Sequence, residues 1–149
     1  LRLKRAGVKA IDVGGLGGTS FSAVEYYRAK KDAATTKERL GATFWNWGIP
    51  TPASVQLANV GLPIVATGGV RSGHDVAKAL VLGASAAGMA KPMLEAAKES
   101  ADAVVRELRA IIEELKAAMF LTGSQDLKEL GSRTAIVARP TADWLEAAK

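Results

Sequence analysis

Residues 62–73 read Leu-Pro-Ile-Val-Ala-Thr-Gly-Gly-Val-Arg-Ser-Gly, and this stretch decides the fold. Its apolar half has the length of one strand and no polar alternation, which is typical of a strand buried on both faces of a parallel sheet. The glycines that follow let backbone N–H groups approach a ligand closely, and a new helical pattern begins at Gly73. Because a helix start favours an anion, the stretch predicts a phosphate site between a strand and a helix.

The same order of strand, small-residue loop and helix recurs on both sides of this stretch. Upstream, a β-prone run ends at a glycine pair, and downstream a short strand of small residues precedes a helix at Pro92. Strands that alternate with helices are joined by crossovers. We therefore expect strands near residues 8–13, 63–67 and 86–88 to be parallel and adjacent, with their carboxyl ends on one side. This α/β pattern excludes an all-β fold and a helix bundle, but not a doubly wound sheet.

Helical patterns fill the rest of the chain. We predict helices over residues 1–6, 22–31, 51–60, 73–83, 92 onward, 101–121, 126–130 and 142–148, and an exposed loop over the polar residues 31–39. The helix over residues 51–60 should have Thr51 as its N-cap. The strongest pattern is an apolar stripe that predicts a core-facing helix, formed by Val104, Val105, Leu108, Ile111, Ile112, Leu115, Ala118 and Met119.

A second phosphate element lies at the next strand end, where Gly88-Met89-Ala90-Lys91 leads into the helix at Pro92. Two adjacent strand ends that each feed a helix match the phosphate site that β/α barrels form after their last two strands. The pair is more specific than either loop, since a lone glycine loop is more often a tight turn. A complete eight-unit barrel needs about 250 residues, so a chain of 149 residues supplies only part of one.

A third loop, residues 12–21, reads Asp-Val-Gly-Gly-Leu-Gly-Gly-Thr-Ser-Phe. Four glycines at a strand end favour a ligand-facing role over a flexible connection, because each glycine costs chain entropy on folding. No Gly-x-Gly-x-x-Gly segment opens a helix, which argues against a dinucleotide-binding fingerprint.

Composition narrows the function classes. The formal net charge is +5, but basic and acidic residues are interspersed, so neither a nucleic-acid surface nor a membrane partner is predicted. The chain has no cysteine, which excludes disulfides and fits a reducing cytoplasm, and its single histidine, His74, cannot build a metal cluster. We interpret the non-Met start as a truncation or cleavage point.

Several motifs together resemble one family. Residues 12–21, residues 44–51 (Phe-Trp-Asn-Trp-Gly-Ile-Pro-Thr) and residues 67–73 (Thr-Gly-Gly-Val-Arg-Ser-Gly) are similar to segments of type 2 isopentenyl-diphosphate isomerases, in the family's order. The likeness continues to Gly123, so it covers nearly all of the chain before Gln125.

This resemblance implies the C-terminal part of a (β/α)8 TIM barrel, about three β/α units with parallel strands. Residues 1–149 would form a single partial domain, with barrel units over 1–123 and a C-terminal tail over 124–149. The family interconverts isopentenyl diphosphate and dimethylallyl diphosphate in isoprenoid biosynthesis, with reduced FMN, NADPH as reductant and Mg²⁺. A cytoplasmic homo-oligomer is implied.

The resemblance also implies site residues. Thr19 matches the family's flavin-contacting threonine, Gly69-Val70-Arg71 the first phosphate loop, and Ala90-Lys91 the second. Lys91 departs from the family, which usually has an apolar or small residue there.

The family's catalytic, metal-binding and flavin-binding residues from earlier strands have no counterpart in this chain. No catalytic and no metal-binding residue is therefore predicted in it, and the chain alone should be inactive. We expect loop anchoring or helix capping from Asp12 and Asp75, and an exposed helix position for His74.

Two other interpretations remain. The loop over residues 68–73 and the Lys-Ala-Leu-Val-Leu-Gly-Ala segment over residues 78–84 also resemble those of α-hydroxyacid oxidases and glutamate synthases. The oxidases, however, carry a His-Gly-Gly-Arg type loop where this chain has residues 14–18 without histidine, and they use that histidine as a base. Alternatively, the chain is a non-catalytic assembly module that must hide its open sheet edges against a partner.

The sequence predicts that FMN, or a phosphate in its place, lies between residues 69–71 and Ala90-Lys91, held mainly by backbone N–H groups. In the full-length enzyme, replacing Gly69 with Val should weaken FMN binding more than replacing Arg71 with Ala, because a β-branched side chain blocks the approach whereas a lost charge is partly screened. Titrating FMN into both variants measures this, and an unchanged affinity for Gly69→Val would remove the loop from the site.

Overall fold

The computed structural model describes residues 2–18 and 20–148. The elements in chain order are α1 (Arg2–Arg5), β1 (Ile11–Asp12), α2 (Phe21–Lys31), α3 (Thr35–Thr43), α4 (Thr51–Leu57), β2 (Ile64–Ala66), α5 (Gly73–Val81), β3 (Ala86–Ala87), α6 (Lys91–Glu99), α7 (Ala101–Leu121), α8 (Leu127–Gly131) and α9 (Thr141–Ala147).

The three strands form one parallel sheet in the order β1-β2-β3. Ile11 is in register with Ile64, and Val65 with Ala86, so consecutive β/α units lie side by side. The predicted parallel and adjacent arrangement is confirmed, although each strand is shorter than its sequence pattern. All three strand ends therefore face the same edge, where their loops meet.

The core forms where β2 is covered by α4 and α5. Ile64 and Ala66 point into it from β2, and they pack with Val55 of α4 and Ala79 of α5. Ile64 and Val55 are each about 1% exposed, whereas Val65, on the other face of β2, is only half-buried. The prediction that this strand is buried on both faces is therefore wrong within the described residues, whose helices α4 and α5 cover one face. Small alanines let the two helices lie close to the sheet, so the loops that follow the strands are held by a packed support.

A second cluster joins α5, α7 and α8. Ala77 and Leu80 of α5 and Leu130 of α8 are buried, and Leu115 of α7 packs against them. Gly73 makes the closest approach, since a Cβ there would overlap the Ile111 carbonyl oxygen of α7. The first residue of α5 is thus pressed against the middle of the longest helix.

The predicted exposed loop over residues 31–39 is wrong, because α3 begins within it at Thr35. This helix packs on α2 at Gly41, where a Cβ would lie 2.8 Å from the backbone of Tyr26. The rings of Tyr26 and Trp45 then meet edge-on, with centroids 5.5 Å apart. Close backbone approach and aromatic contacts hold this helix in place. Its sequence therefore has no apolar stripe from which the helix could have been predicted.

The apolar stripe of α7 is buried only in part. Ile111 is buried and Leu115 is partly buried, as predicted. Val105, Leu108 and Ile112 remain 45%, 44% and 49% exposed, respectively. The prediction that the whole stripe faces the core is therefore wrong within the described residues, whose elements cover one side of it.

A glycine can be required because a neighbouring atom leaves no room for a Cβ or because its φ angle is positive, and substitutions can distinguish these two reasons. We expect Gly73→Ala to lower the free energy of unfolding by about 3 kcal/mol, because the added methyl group must push α5 away from α7. Gly123→Ala should cost only about 1 kcal/mol, since Gly123 has a positive φ of 63° but its Cβ would meet nothing closer than 3.9 Å. Urea denaturation of both variants measures the difference, and equal losses would contradict the close packing of α5 on α7.

Candidate functional site: a cleft between glycine loops

The loops that follow the three strands enclose a cleft with a volume of about 410 Å³. Residues from each of the three loops line it, together with the start of α2 and of α6: Gly14, Gly15, Gly18, Phe21, Thr67, Gly68, Gly69, Val70, Arg71, Gly88, Met89, Ala90 and Lys91. A cleft at the carboxyl edge of a parallel sheet is where β/α proteins place their ligands.

The cleft brings together the predicted site residues from both phosphate loops. Gly69, Val70 and Arg71 line one wall, and Ala90 and Lys91 line another. Val70 is only 7% exposed, so its side chain mainly fills the space behind the loop. Thr19 lies outside the described residues.

Backbone contact between two glycine segments shapes the first wall. The N–H of Gly15 donates to the Thr67 carbonyl oxygen at 2.9 Å. Gly68 and Gly69 have positive φ angles of 101° and 81°, and a Cβ on either would overlap the carbonyl oxygen of Gly15 or Gly17, respectively. Glycine is therefore required here by the fit between loops, as well as by any approach of a ligand.

The segment over residues 44–51 supports the glycine loop over residues 14–18 through backbone hydrogen bonds. Leu16 donates its N–H to the Ile49 carbonyl at 2.8 Å, and Thr51 donates its own N–H to the Leu16 carbonyl at 3.2 Å. Thr51 is the first residue of α4 and not its N-cap, which is Pro50. The predicted N-cap role is wrong because the Thr51 hydroxyl is engaged elsewhere: it donates to the Gly68 carbonyl at 2.5 Å.

Asp12 anchors both loops from the strand side. Its Oδ1 atom accepts the N–H of Gly14 at 3.0 Å and also the hydroxyl of Thr67. The Thr67 hydroxyl oxygen in turn accepts the Gly14 N–H at 3.0 Å. The carboxylate thus ties the ends of β1 and β2 together, which is the anchoring role expected from the sequence.

The start of α5 offers fewer donors than the sequence suggested, because side chains already use them. The N–H of Arg71 donates to Asp75 at 3.1 Å, and the N–H of Gly73 donates to Glu114 of α7 at 2.6 Å. The N–H of Asp75 donates to Ser72 at 3.1 Å. The expectation that two helix starts supply unpaired donors is therefore corrected for α5, whose contribution is the glycine loop before it.

The start of α6 has the opposite character. Its N-cap, Ala90, has no side chain that can accept a hydrogen bond, and proline stands at its second position. Among residues 2–18 and 20–148, the N–H groups of Gly69, Val70, Ala90 and Lys91 donate to no protein acceptor. An oxyanion in the cleft would supply the missing acceptors and meet the positive end of the α6 dipole.

Two cationic side chains lie at the rim of this cleft. Arg71 is exposed, and the described part of the chain places no carboxylate within ion-pair distance of it. The Lys91 ammonium is 3.8 Å from a carboxylate oxygen of Glu95, and both side chains are more than half exposed. Such exposed pairs are weak, so both cations can still attract an anion. His74 is exposed on α5, as predicted.

Among the described residues that line the cleft there is no carboxylate, and Asp12 and Asp75 are both occupied as loop anchors. Nor do the described residues hold a group of three or more His, Cys, Asp or Glu side chains placed to bind a metal ion. Among the same residues, no helix combines the length and the apolar character that a membrane span needs. The free N–H groups and the two cations at the rim suit the binding of an anion.

Comparisons with a family model and with curated sequences agree on the kind of protein that this chain resembles. The family model for FMN-dependent dehydrogenases matches residues 2–137. Isopentenyl-diphosphate delta-isomerase of Thermoplasma volcanium is 50% identical over 145 residues, which cover 97% of this chain and 42% of that protein. The Methanosarcina mazei protein of the same name is 50% identical over 143 residues, 96% of this chain and 39% of that protein. The sequence resemblance is confirmed, and the chain spans about two fifths of these relatives.

A solved structure shows the same fold. A mandelate oxidase variant crystallised with 2-hydroxy-phenylacetamide superposes with a TM-score of 0.60 and is 27% identical, covering 91% of this chain and 36% of that one. The match, together with the parallel sheet, confirms the predicted fold class, part of a β/α barrel.

The test with Gly69→Val proposed from the sequence does not isolate ligand approach, since any Cβ at Gly69 would also disturb the fit onto Gly17. Ala90 offers a cleaner test. We expect Ala90→Asp to raise the free energy of unfolding by about 1 kcal/mol, because its carboxylate caps α6. The same carboxylate should weaken FMN binding at least tenfold by taking the donors and repelling the phosphate.

The matched control is Ala97→Asp, which adds the same charge on an exposed position of α6, away from its start. It should leave FMN binding unchanged. Thermal unfolding and FMN fluorescence titrations give both quantities, and a variant Ala90→Asp that binds FMN as tightly as the original chain would exclude the α6 start from the site.

Proposed function

Because the chain belongs to the FMN-dependent dehydrogenase family, we propose that it is the C-terminal, phosphate-binding part of an FMN-dependent isopentenyl-diphosphate isomerase. The complete enzyme would interconvert isopentenyl diphosphate and dimethylallyl diphosphate in isoprenoid biosynthesis. In this proposal residues 1–123 supply about three barrel units and residues 124–149 form a tail. The observation that carries it is the pair of glycine and small-residue loops whose free N–H groups converge on one cleft.

The residues of the cleft fit the phosphate end of FMN. The N–H groups of Gly69, Val70, Ala90 and Lys91 would donate to the phosphate oxygens, in the way that helix starts and glycine loops bind anions. Arg71 and, more weakly, Lys91 would add charge at the rim. When bound, FMN would supply the redox and proton-transfer chemistry of the family, and this chain would orient it.

The remaining assignments are proposals that rest on the resemblance of the sequence motifs to type 2 isopentenyl-diphosphate isomerases. NADPH would reduce the flavin, and Mg²⁺ would bind through residues outside this chain, together with the substrate diphosphate. Thr19 would contact the flavin from the loop over residues 12–21. We further propose a cytoplasmic homo-oligomer that engages neither nucleic acid nor membrane.

An oxidase of α-hydroxy acids is the second candidate, and the superposition with a mandelate oxidase supports it. Two observations favour the isomerase. The relatives named as isomerases are about 50% identical, whereas the mandelate oxidase is 27% identical. Moreover, the loop over residues 14–18 consists of glycines and Leu16, so no histidine base stands there.

An assembly module without catalysis is the third candidate. It is supported by the exposed apolar side of α7, with Val105, Leu108 and Ile112 each close to half exposed. The same faces would be covered by the remaining units of a complete barrel, so they do not favour this candidate over the isomerase.

Activity can be tested by restoring the barrel: this chain is joined behind the part of the Thermoplasma volcanium relative that it does not match. With FMN, NADPH and Mg²⁺, we expect the restored barrel to convert isopentenyl diphosphate into dimethylallyl diphosphate, followed by NMR of the product. The 149-residue chain alone should show no turnover, because Mg²⁺ and the substrate diphosphate would bind through residues outside it.

The alternatives give different results in the same preparation. An oxidase would bleach the flavin absorbance when a 2-hydroxy acid is added without oxygen. A restored barrel that binds FMN but performs neither reaction would contradict the proposed isomerase and support the assembly module.

A further inference from the structure

We infer that Thr51 is a positioning residue whose hydroxyl fixes the direction of two consecutive peptide groups, so that the N–H groups of Gly68 and Gly69 face the phosphate cleft. This inference rests on the proposed function, since it names a determinant of the same phosphate site. Thr51 would not touch the ligand; it would act through the loop.

The hydroxyl of Thr51 reaches across to a loop that is distant in sequence. It lies 2.5 Å from the Gly68 carbonyl oxygen and 3.3 Å from the Thr67 carbonyl oxygen. The residue is only 8% exposed, so water does not compete strongly for these carbonyls. The Thr67 carbonyl also accepts the Gly15 N–H at 2.9 Å. Both carbonyl oxygens are therefore held on the side of α4.

Because a peptide group is planar, the direction of each carbonyl also sets the direction of the N–H group that follows it. In a trans peptide the carbonyl and the following N–H point in opposite directions. The N–H groups of Gly68 and Gly69 must then point away from Thr51. Thr51 lies behind the loop, in a separate cavity of about 180 Å³ that it lines with Gly68, Gly69 and Val70. The side opposite Thr51 is the phosphate cleft, which the same three loop residues also line.

Such a lock is needed because this loop has two successive glycines. Glycine has no Cβ and adopts φ angles of either sign, so a Gly-Gly peptide can rotate by half a turn with little steric resistance. A rotated Gly68–Gly69 peptide would present its carbonyl oxygen to the cleft and would repel a phosphate. The hydroxyl of Thr51 opposes this rotation, because the rotation would break its hydrogen bond in a buried place.

The α4 helix itself does not require this hydroxyl. Its N-cap is Pro50, without a side-chain cap, and Ser54 on the same helix donates its hydroxyl locally to the Ile49 carbonyl at 3.1 Å. Ser54 is therefore a matched control, since it carries a hydroxyl that bonds a backbone carbonyl away from the phosphate loop.

The test uses the restored barrel, because flavin-binding residues of the earlier strands lie outside the 149-residue chain, and it compares FMN with riboflavin, which lacks the phosphate. Thr51→Val removes the hydroxyl at nearly constant shape, and Thr51→Ser retains it. We expect Thr51→Val to bind FMN about tenfold more weakly, as for the loss of one hydrogen bond to a charged group, and riboflavin with unchanged affinity. Thr51→Ser and the control Ser54→Ala should keep the original preference for FMN.

A general loss of stability would weaken the binding of FMN and of riboflavin by similar factors. The ratio of the two affinities therefore distinguishes a role of Thr51 in positioning the loop from a role in stability alone. Thr51→Val with the original FMN preference would overturn the inference, as would a Thr51→Ser variant that loses as much as Thr51→Val. An unsubstituted restored barrel that binds FMN no better than riboflavin would instead contradict the proposed phosphate site itself.

Should Thr51→Val fail to fold, amide NMR of the original chain and of Thr51→Ser decides. Inorganic phosphate should shift the Gly68 and Gly69 amide resonances in both. Absence of these shifts while the amides of Ala90 and Lys91 respond would show that the two glycine donors do not face the phosphate, and would overturn the inference.

Discussion

The fit between two glycine segments is the contact on which the rest of the site depends. Residues 14–18 lie directly on Gly68 and Gly69, at a separation that leaves no room for a Cβ on either glycine. Backbone meets backbone there, so hydrogen bonds from Gly15 and Thr51 can hold the carbonyl groups of Thr67 and Gly68 on one side. The opposite side of the same peptides becomes a row of N–H donors.

The two helix starts at the cleft differ in whether side chains already accept their backbone N–H groups. At α5, Asp75, Ser72 and Glu114 accept backbone N–H groups, which stabilises that helix and fixes the loop before it. At α6, Ala90 accepts none of them with its side chain. An anion is therefore directed to the point between the glycine loop and α6, where donors are free and no carboxylate anchors the backbone. In the proposed site, backbone donors would therefore bind the phosphate, and the exposed cations Arg71 and Lys91 would add charge only at the rim.

Features that depend on neighbouring residues in the chain could be predicted from the sequence. Strand ends followed by glycine, and a helical pattern that begins at Gly73, were sufficient to place β2, α5 and the first loop. The two phosphate loops could be paired because parallel strands bring their ends to one edge. The role of Thr51 could not be predicted, since it depends on a contact across 17 residues. Helix α3 was missed for a similar reason, because its packing uses Gly41 against Tyr26 and not an apolar stripe.

The most direct measurement is a crystal structure of the chain, or of the restored barrel, with FMN bound. We predict that the phosphate lies within about 2.9 Å of the N–H nitrogens of Gly69 and of the start of α6, and that the Gly68 carbonyl still accepts the hydrogen bond from the Thr51 hydroxyl. A phosphate bound outside the cleft, or reached only through the side chains of Arg71 and Lys91 with the Gly68–Gly69 peptide rotated, would contradict it.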